Sequence, residues 1–177
     1  MKNIDNLECC IVIVDDDDTV LDVFKKSLSE KMKSATIKGF NSINDEFFDY
    51  IKNHHIDLFV IDIILGNDKS GIDLSNELLK IMKGLIFLFV SGFDYTIDSF
   101  NQFKGKCIYD FISKPINVEE FIVRCSCLVR TSKSFNLILN NNDLCYYDEK
   151  SIELLRDEYF KQLEEDRKMI KKFNEKM

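Results

Sequence analysis

Four places in the chain carry side chains suited to chemistry with a bound ion. An acidic run, Asp15–Asp18, follows one apolar segment, while Asp62, Ser91 and Lys114 each end or follow another. Carboxylates that gather at one place repel one another, and a cation offsets that cost. Because oxygen ligands suit a hard divalent ion, the pattern predicts a Mg²⁺ site. An acidic run by itself is usually a solvated loop, so the prediction depends on a fold that joins these residues.

The apolar segments that precede these residues predict a parallel sheet. They lie at Cys9–Val14, Ala35–Phe40, Leu58–Ile61, Leu85–Val90 and Cys107–Ile112. Continuously apolar strands are typical of a sheet that helices cover on both faces. Stretches of helical periodicity alternate with the strands, for example Thr19–Met32, for which Asp18 is the expected N-cap. We therefore predict an α/β fold with a doubly wound, five-stranded parallel sheet.

Such a sheet would bring the chemical groups together. Ligands of doubly wound sheets bind at the carboxyl ends of the strands, near the point where the strand order reverses. A carboxylate beside Mg²⁺ can attack a phosphoryl donor and form an aspartyl phosphate. The ammonium of Lys114 can pair with a phosphoryl oxygen, and the hydroxyl of Ser91 can bond another. The pattern therefore predicts phosphoryl chemistry at one edge of the sheet.

Four motifs also resemble the hallmark segments of response-regulator receiver domains. They are IVIVDDDD at Ile11–Asp18, DLFVIDIIL at Asp57–Leu65, LFVSGFD at Leu88–Asp94 and DFISKPI at Asp110–Ile116. The motifs occur in the family's order and spacing, and the resemblance covers residues 8–131. It implies a CheY-like, flavodoxin-like receiver fold and a place in a two-component phosphorelay.

The resemblance also implies which residues form the phosphoryl site. Asp62 would be the phosphorylated aspartate, and Asp15 and Asp16 would bind Mg²⁺ together with it. The backbone carbonyl of Ile64 would be a further metal ligand. Lys114 would pair with the phosphoryl group. The peptide bond between Lys114 and Pro115 would be cis, as the family implies.

Two residues would respond to the phosphoryl group if the family's switch is present. Ser91 would move towards it, and Phe111 would be the switch aromatic, although plain core packing explains Phe111 equally well. The loop after Asp62, at residues 63–71, lacks a common proline and is one residue longer than usual. The bulky apolar Ile64 and Phe93 would hinder an attacking water, so we expect slow loss of the phosphoryl group.

The last part of the chain, residues 132–177, is predicted to be an extension of the receiver. After a helix at Asn117–Val129 and a short linker at Thr131–Ser134, the strands Phe135–Leu139 and Leu144–Tyr147 would form a hairpin. A helix would follow at Ile152–Phe173. This resembles the start of a winged-helix output domain, but no recognition helix follows. We expect the extension to pack on the receiver, dimerise or dock a protein partner.

Composition restricts the remaining function classes. The net charge of -7 disfavours DNA binding. The six cysteines show no zinc spacing and suit reduced thiols in a core. No signal peptide is visible, and no apolar run has the length of a membrane span, so we expect a cytoplasmic protein.

The leading interpretation is a signalling switch, phosphorylated on Asp62 by a histidine kinase or phosphotransfer protein, that acts on a downstream protein or a second copy. Such a switch is not an enzyme beyond its own phosphorylation and dephosphorylation. The alternatives are a phosphate-independent scaffold with this fold, a truncated winged-helix regulator and, in a third class, a Mg²⁺-dependent phosphatase. Replacing Asp62 by asparagine separates the switch from the scaffold.

Overall fold

A computed structural model of the protein describes residues 7–66, 69–92, 103, 107–141 and 149–174. The main sheet consists of five parallel strands. They are β1 (Cys9–Val14), β2 (Ala35–Phe40), β3 (Leu58–Asp62), β6 (Ile86–Ser91) and β7 (Ile108–Ser113). Their spatial order is β2-β1-β3-β6-β7. The predicted doubly wound sheet is confirmed, and its strand order reverses between β1 and β3, where Asp15 and Asp62 lie.

Burial explains why the central strands are apolar throughout. Every residue of β3 and β6 is buried, and the side chains of β1 alternate between two cores on opposite faces of the sheet. Phe87 and Phe89 stack on one face, whereas Leu88 and Val90 point to the other. The sheet is therefore covered on both sides, as its composition predicts.

Three helices follow strands in the first half of the chain. They are α1 (Asp18–Lys31), α2 (Asp45–Asn53) and α3 (Gly71–Ile81). The prediction for the first N-cap was wrong by one residue. Asp17 is the N-cap and accepts hydrogen bonds from the backbone of Thr19 and Val20, while Asp18 is the first helical residue. The segment between β6 and β7 lies largely outside the described residues, including Phe93.

A small two-stranded antiparallel sheet lies in the loop after β3. It pairs β4 (Ile64–Leu65) with β5 (Lys69–Ser70). The residue after β5 is held at the end of β3, because Gly71 N–H donates to the carbonyl of Ile63. The described part of the loop that was expected to be longer than usual therefore has regular structure directly beside Asp62.

The predicted C-terminal hairpin is wrong in its first strand. Helix α4 runs without interruption over Val118–Asn141, so the expected linker Thr131–Ser134 and the expected strand Phe135–Leu139 are both helical. Long-range contacts hold this extension: Lys133 forms an ion pair with the buried Asp57 at 2.9 Å. The second expected strand lies outside the described residues. The winged-helix alternative therefore loses the first strand of the small sheet on which it depended.

The final predicted helix is confirmed as α5 (Glu149–Asn174). It packs along α4 and against β7. Five consecutive residues of α4, numbers 125–129, are buried, which shows that α4 is covered on more than its sheet-facing side. The division at residues 131 and 132 falls inside α4 and stays a prediction.

Two further expectations concern membranes and thiols. None of the helices in the described ranges combines the length and hydropathy that a membrane span requires. Four of the five cysteines in those ranges are buried, and burial raises the pKa of Cys9 and Cys107 to about 12. Such thiols stay protonated at neutral pH and act as small apolar side chains.

Candidate phosphoryl-acceptor site

Three carboxylates converge at the carboxyl ends of β1 and β3. Asp15 and Asp16 follow β1, and Asp62 is the last residue of β3. One oxygen from each lies within 4.8 Å of the others. Asp15 is 1% exposed and Asp62 is 5% exposed, whereas Asp16 lies open to solvent. The three carboxylates therefore form a group of oxygen ligands in which two members are buried and one is open to solvent.

Among the described residues, Lys114 is the one cationic side chain that contacts these three carboxylates. Its Nζ lies 2.6 Å from Asp62 Oδ2 and 3.3 Å from Asp15 Oδ2. Burial alone would lower the pKa of Lys114, but the hydrogen bond and charge of Asp62, together with Asp15, outweigh burial and raise that pKa. Lys114 therefore carries a positive charge against the carboxylate of Asp62. The Lys114–Pro115 bond is cis, as the resemblance implied.

The electrostatics show that one lysine does not neutralise the group. Burial raises the pKa of Asp15, and the charge of Asp62 raises it further, against the opposing effects of the Asp17 N–H and Lys114. Keeping Asp15 ionised therefore costs free energy. A divalent cation among these oxygens would offset that cost, since Mg²⁺ prefers carboxylate oxygens in a site open to water. The residues present fit such an ion.

Backbone N–H groups fix the orientation of all three carboxylates. Asp15 Oδ1 accepts from Asp17 N–H at 3.0 Å, and Asp62 Oδ1 accepts from Ile64 N–H at 3.1 Å. Asp16 Oδ2 accepts from Gly66 N–H at 3.0 Å. Asp62 Oδ2 is left facing Lys114. The backbone of Ile64 thus lies at the site, and the role of its carbonyl as a metal ligand stays a prediction.

Ser91 ends β6 beside the acidic group and is buried. Its carbonyl accepts a 2.6 Å hydrogen bond from the backbone N–H of Lys114, so the ends of β6 and β7 are fastened together. Phe111 lies on β7, three residues before Lys114, and is 46% exposed. The core-packing interpretation of Phe111 is therefore wrong, while its role as a switch residue stays a prediction.

Two glycines contribute to the site in ways that sequence reasoning missed. A Cβ on Gly71 would lie 2.0 Å from the carbonyl oxygen of Asp62, and a Cβ on Gly66 would lie 2.8 Å from Asp16 Oδ2. Gly71 needs to lack a side chain, because its neighbour is fixed backbone, whereas a side chain at Gly66 would displace the carboxylate of Asp16. The signal in the sequence was a pair of glycines five residues apart after the acceptor strand.

Comparison with known proteins identifies the family. The family profile described as the response regulator receiver domain matches residues 11–126. The chain belongs to the response regulator receiver family. Receiver domains act in two-component signal transduction, generally bind Mg²⁺ at an acidic pocket, and interact with histidine kinases and effector partners. The family is a phosphoacceptor switch and not a classical enzyme.

Solved structures of receivers share the fold at low identity. The Francisella response regulator 1452 receiver domain is 21% identical with a TM-score of 0.56, over 70% of this chain and 98% of its own. A CheY-like receiver from Methanospirillum hungatei is 23% identical with a TM-score of 0.58, over 72% and 98%. NtrX from Brucella abortus is 21% identical with a TM-score of 0.63, over 76% of this chain and 30% of NtrX. No curated protein matches the chain.

Proposed function

We propose that this receiver accepts a phosphoryl group on Asp62 in a Mg²⁺-dependent reaction and uses it as a switch. The observation that carries the proposal is the convergence of Asp15, Asp16 and Asp62 with Lys114 in contact with the acceptor carboxylate. Three carboxylates beside one ammonium suit a site completed by a divalent ion and then by a transferred phosphoryl group.

In the proposed reaction a carboxylate oxygen of Asp62 attacks the phosphorus of a phosphohistidine on a kinase or phosphotransfer protein. The new O–P bond forms as the P–N bond breaks, and the imidazole leaves with the bonding electrons and takes up a proton. When bound, Mg²⁺ would supply positive charge to the phosphoryl oxygens and the attacking carboxylate. Asp15, Asp16, Asp62 and the carbonyl of Ile64 would hold that ion.

The remaining residues hold the transferred group. Lys114 is already 2.6 Å from Asp62 Oδ2 and would exchange that contact for a phosphoryl oxygen. The Ser91 hydroxyl would bond another oxygen. The backbones of Ser91 and Lys114 are hydrogen-bonded to each other. A displacement of either residue would therefore move the ends of both β6 and β7.

Phosphorylation by a small phosphodonor such as acetyl phosphate, read by intact mass, tests the proposal on the full chain. We expect one phosphoryl adduct with Mg²⁺, none after chelation, and none in Asp62→Asn. The matched control is Asp18→Asn, which lies in the same acidic run but outside the group of three and should label like wild type. Absence of an adduct from the folded wild-type protein would contradict the proposal and favour the phosphate-independent scaffold.

A further inference from the structure

Helix α5 covers one face of the receiver instead of extending away from it. Its buried hydrophobic residues, Ile152, Leu155, Tyr159 and Leu163, belong to the same hydrophobic core as Ile108 and Ile112 of β7. Among the described strands, β7 has only β6 as a neighbour, so it is the edge of the sheet. Covering an edge strand with a helix shields its unpaired backbone groups. We call the surface under α5 the α4–β7 face.

Polar contacts specify how α5 sits on this face. The hydroxyl of Tyr159 donates to Asp110 Oδ2, which also accepts from Arg124, while Asp110 Oδ1 accepts from Phe111 N–H at 2.8 Å. Tyr159 is 1% exposed. A buried hydroxyl costs free energy without a partner, so this contact favours one position of the helix.

Further pairs extend along the helix. Arg167 donates to Glu120 at 3.1 and 3.2 Å, and Arg130 of α4 pairs with the buried Asp166. Nearer the beginning of α5, the Arg156 guanidinium lies 4.9 Å from the ring centre of Tyr109. The docking therefore depends on geometry as well as on apolar area.

Strand β7 connects this docking to the acidic site. Asp110 and Lys114 lie four residues apart across the end of the strand, and Lys114 contacts Asp62 and Asp15. Helix α5 is therefore docked on a β7 whose following residue, Lys114, lies against Asp62. A phosphoryl group that redirects Lys114 and Ser91 would alter that end of β7, and the buried contacts at Asp110 tolerate little displacement.

We propose that α5 is a releasable, built-in occupant of the α4–β7 face, and that loading the acidic site loosens its docking. The proposal rests on the proposed function and identifies α5 as the element of this chain that the switch would regulate. By linkage, loosening α5 must favour loading of the site by the same factor that loading loosens α5.

Hydrogen–deuterium exchange of the full chain, followed by mass spectrometry of α5 peptides, tests this coupling. Beryllofluoride with Mg²⁺ serves as the probe, because it forms a tetrahedral adduct on a carboxylate, and ¹⁹F NMR reports separately whether the site is loaded. We expect loading to speed exchange in α5 by about five-fold or more, the low end of ordinary coupling between sites.

Tyr159→Phe is the informative variant because it keeps the ring and removes only the hydroxyl. We expect faster α5 exchange before loading, a smaller change on loading, and tighter binding of beryllofluoride than in wild type. The matched control is Glu158→Gln, an exposed neighbour on the same helix, which should behave like wild type in all three measurements.

The outcomes separate the two proposals. A loaded site with unchanged or slower α5 exchange overturns the coupling and leaves the proposed function intact. A folded protein whose site does not load overturns both. Wild-type exchange and wild-type beryllofluoride affinity in Tyr159→Phe would overturn the part assigned to the Tyr159–Asp110 contact.

Discussion

Two clusters of carboxylates lie on either side of the end of β7, one contacted by Lys114 and one containing Asp110, and they differ in charge balance. At the acidic site, Asp15, Asp16 and Asp62 face one ammonium, that of Lys114. Under α5, the carboxylates of Asp110 and Glu120 face two guanidinium groups, those of Arg124 and Arg167. The first cluster has excess negative charge and the second does not.

The difference separates a ligand site from a structural one. Excess negative charge at a partly open edge can be relieved by a cation from solution, so the acidic site gains from a ligand. In the Asp110 cluster each carboxylate already has a cationic partner, and a helix closes over it. Removing one partner there leaves buried groups unsatisfied. The following predictions test this contrast, from the largest expected effect to the smallest.

Removing the central carboxylate of the balanced cluster should cause the largest loss of stability. Asp110→Ala leaves the buried Tyr159 hydroxyl without its acceptor and weakens the pairing of Arg124. We expect the free energy of unfolding in urea to fall by about 3 kcal/mol, with or without Mg²⁺. A loss that Mg²⁺ restores would show that the clusters are not distinct in the way proposed.

Removing the lysine of the acidic site should cause a loss that depends on Mg²⁺. Lys114→Met leaves three carboxylates without a cation, so we expect a fall of about 2 kcal/mol in the unfolding free energy of the ion-free protein. Added Mg²⁺ should stabilise this variant more than it stabilises wild type. Lys38→Met, at an exposed pair with Glu46, is the control and should change little in either condition. An equal Mg²⁺ response in wild type and Lys114→Met would contradict the charge argument.

Removing one carboxylate from the acidic site should stabilise the protein. Asp15→Asn relieves repulsion with Asp62, so we expect a gain of about 1 kcal/mol without Mg²⁺. The same variant should lose most of the stabilisation that Mg²⁺ gives to wild type. Thermal unfolding with and without the ion measures both effects, with Asp18→Asn as the comparison. Destabilisation of the ion-free protein by Asp15→Asn would show that the group is not overcharged.

The smallest effect concerns the pair that joins α5 to the start of α4. Burial alone would raise the pKa of Glu120, but Arg167 and Arg124 outweigh burial and lower it below 4.5. A carboxyl group with a lowered pKa stabilises the fold above its unfolded pKa, and this contribution disappears as the pH falls through the folded value.

Glu120→Gln should therefore cost about 0.5 kcal/mol at neutral pH, because the pair is partly exposed. The difference from wild type should shrink below the unfolded pKa of 4.5. Urea unfolding over an acid pH series measures it, and the exposed Glu119→Gln is the control. A difference that does not change with pH would assign the effect to packing and not to charge.

The convergence of the acidic residues and Lys114 could be predicted from the sequence, because it depends only on which residues end or follow the strands. The central strands are apolar throughout. Asp15, Asp62 and Lys114 each end or follow a strand, so the parallel fold alone places them together. What local patterns did not predict is how the loop glycines fit. Gly66 and Gly71 matter through contacts with Asp16 and Asp62, which only the path of the loop determines.

The C-terminal region was harder to predict because distant contacts determine its structure. Phe135–Leu139 followed by polar residues suits a hairpin locally, yet this stretch continues α4. The helix is held nearby by Lys133 and Ser132 on Asp57, which are 76 and 75 residues away along the chain. The contact of Tyr159 with Asp110 spans 49 residues. Neither pairing leaves a trace in a local window of sequence.

The most direct test of the central claim is to locate the phosphoryl group. Borohydride reduces an acyl phosphate to an alcohol, so a phosphorylated aspartate becomes homoserine, which peptide mass mapping identifies. After treatment with acetyl phosphate and Mg²⁺, the account predicts homoserine at Asp62 and at no other aspartate. Homoserine at Asp15, Asp16 or Asp110, or none in a folded protein with Mg²⁺ present, would contradict it.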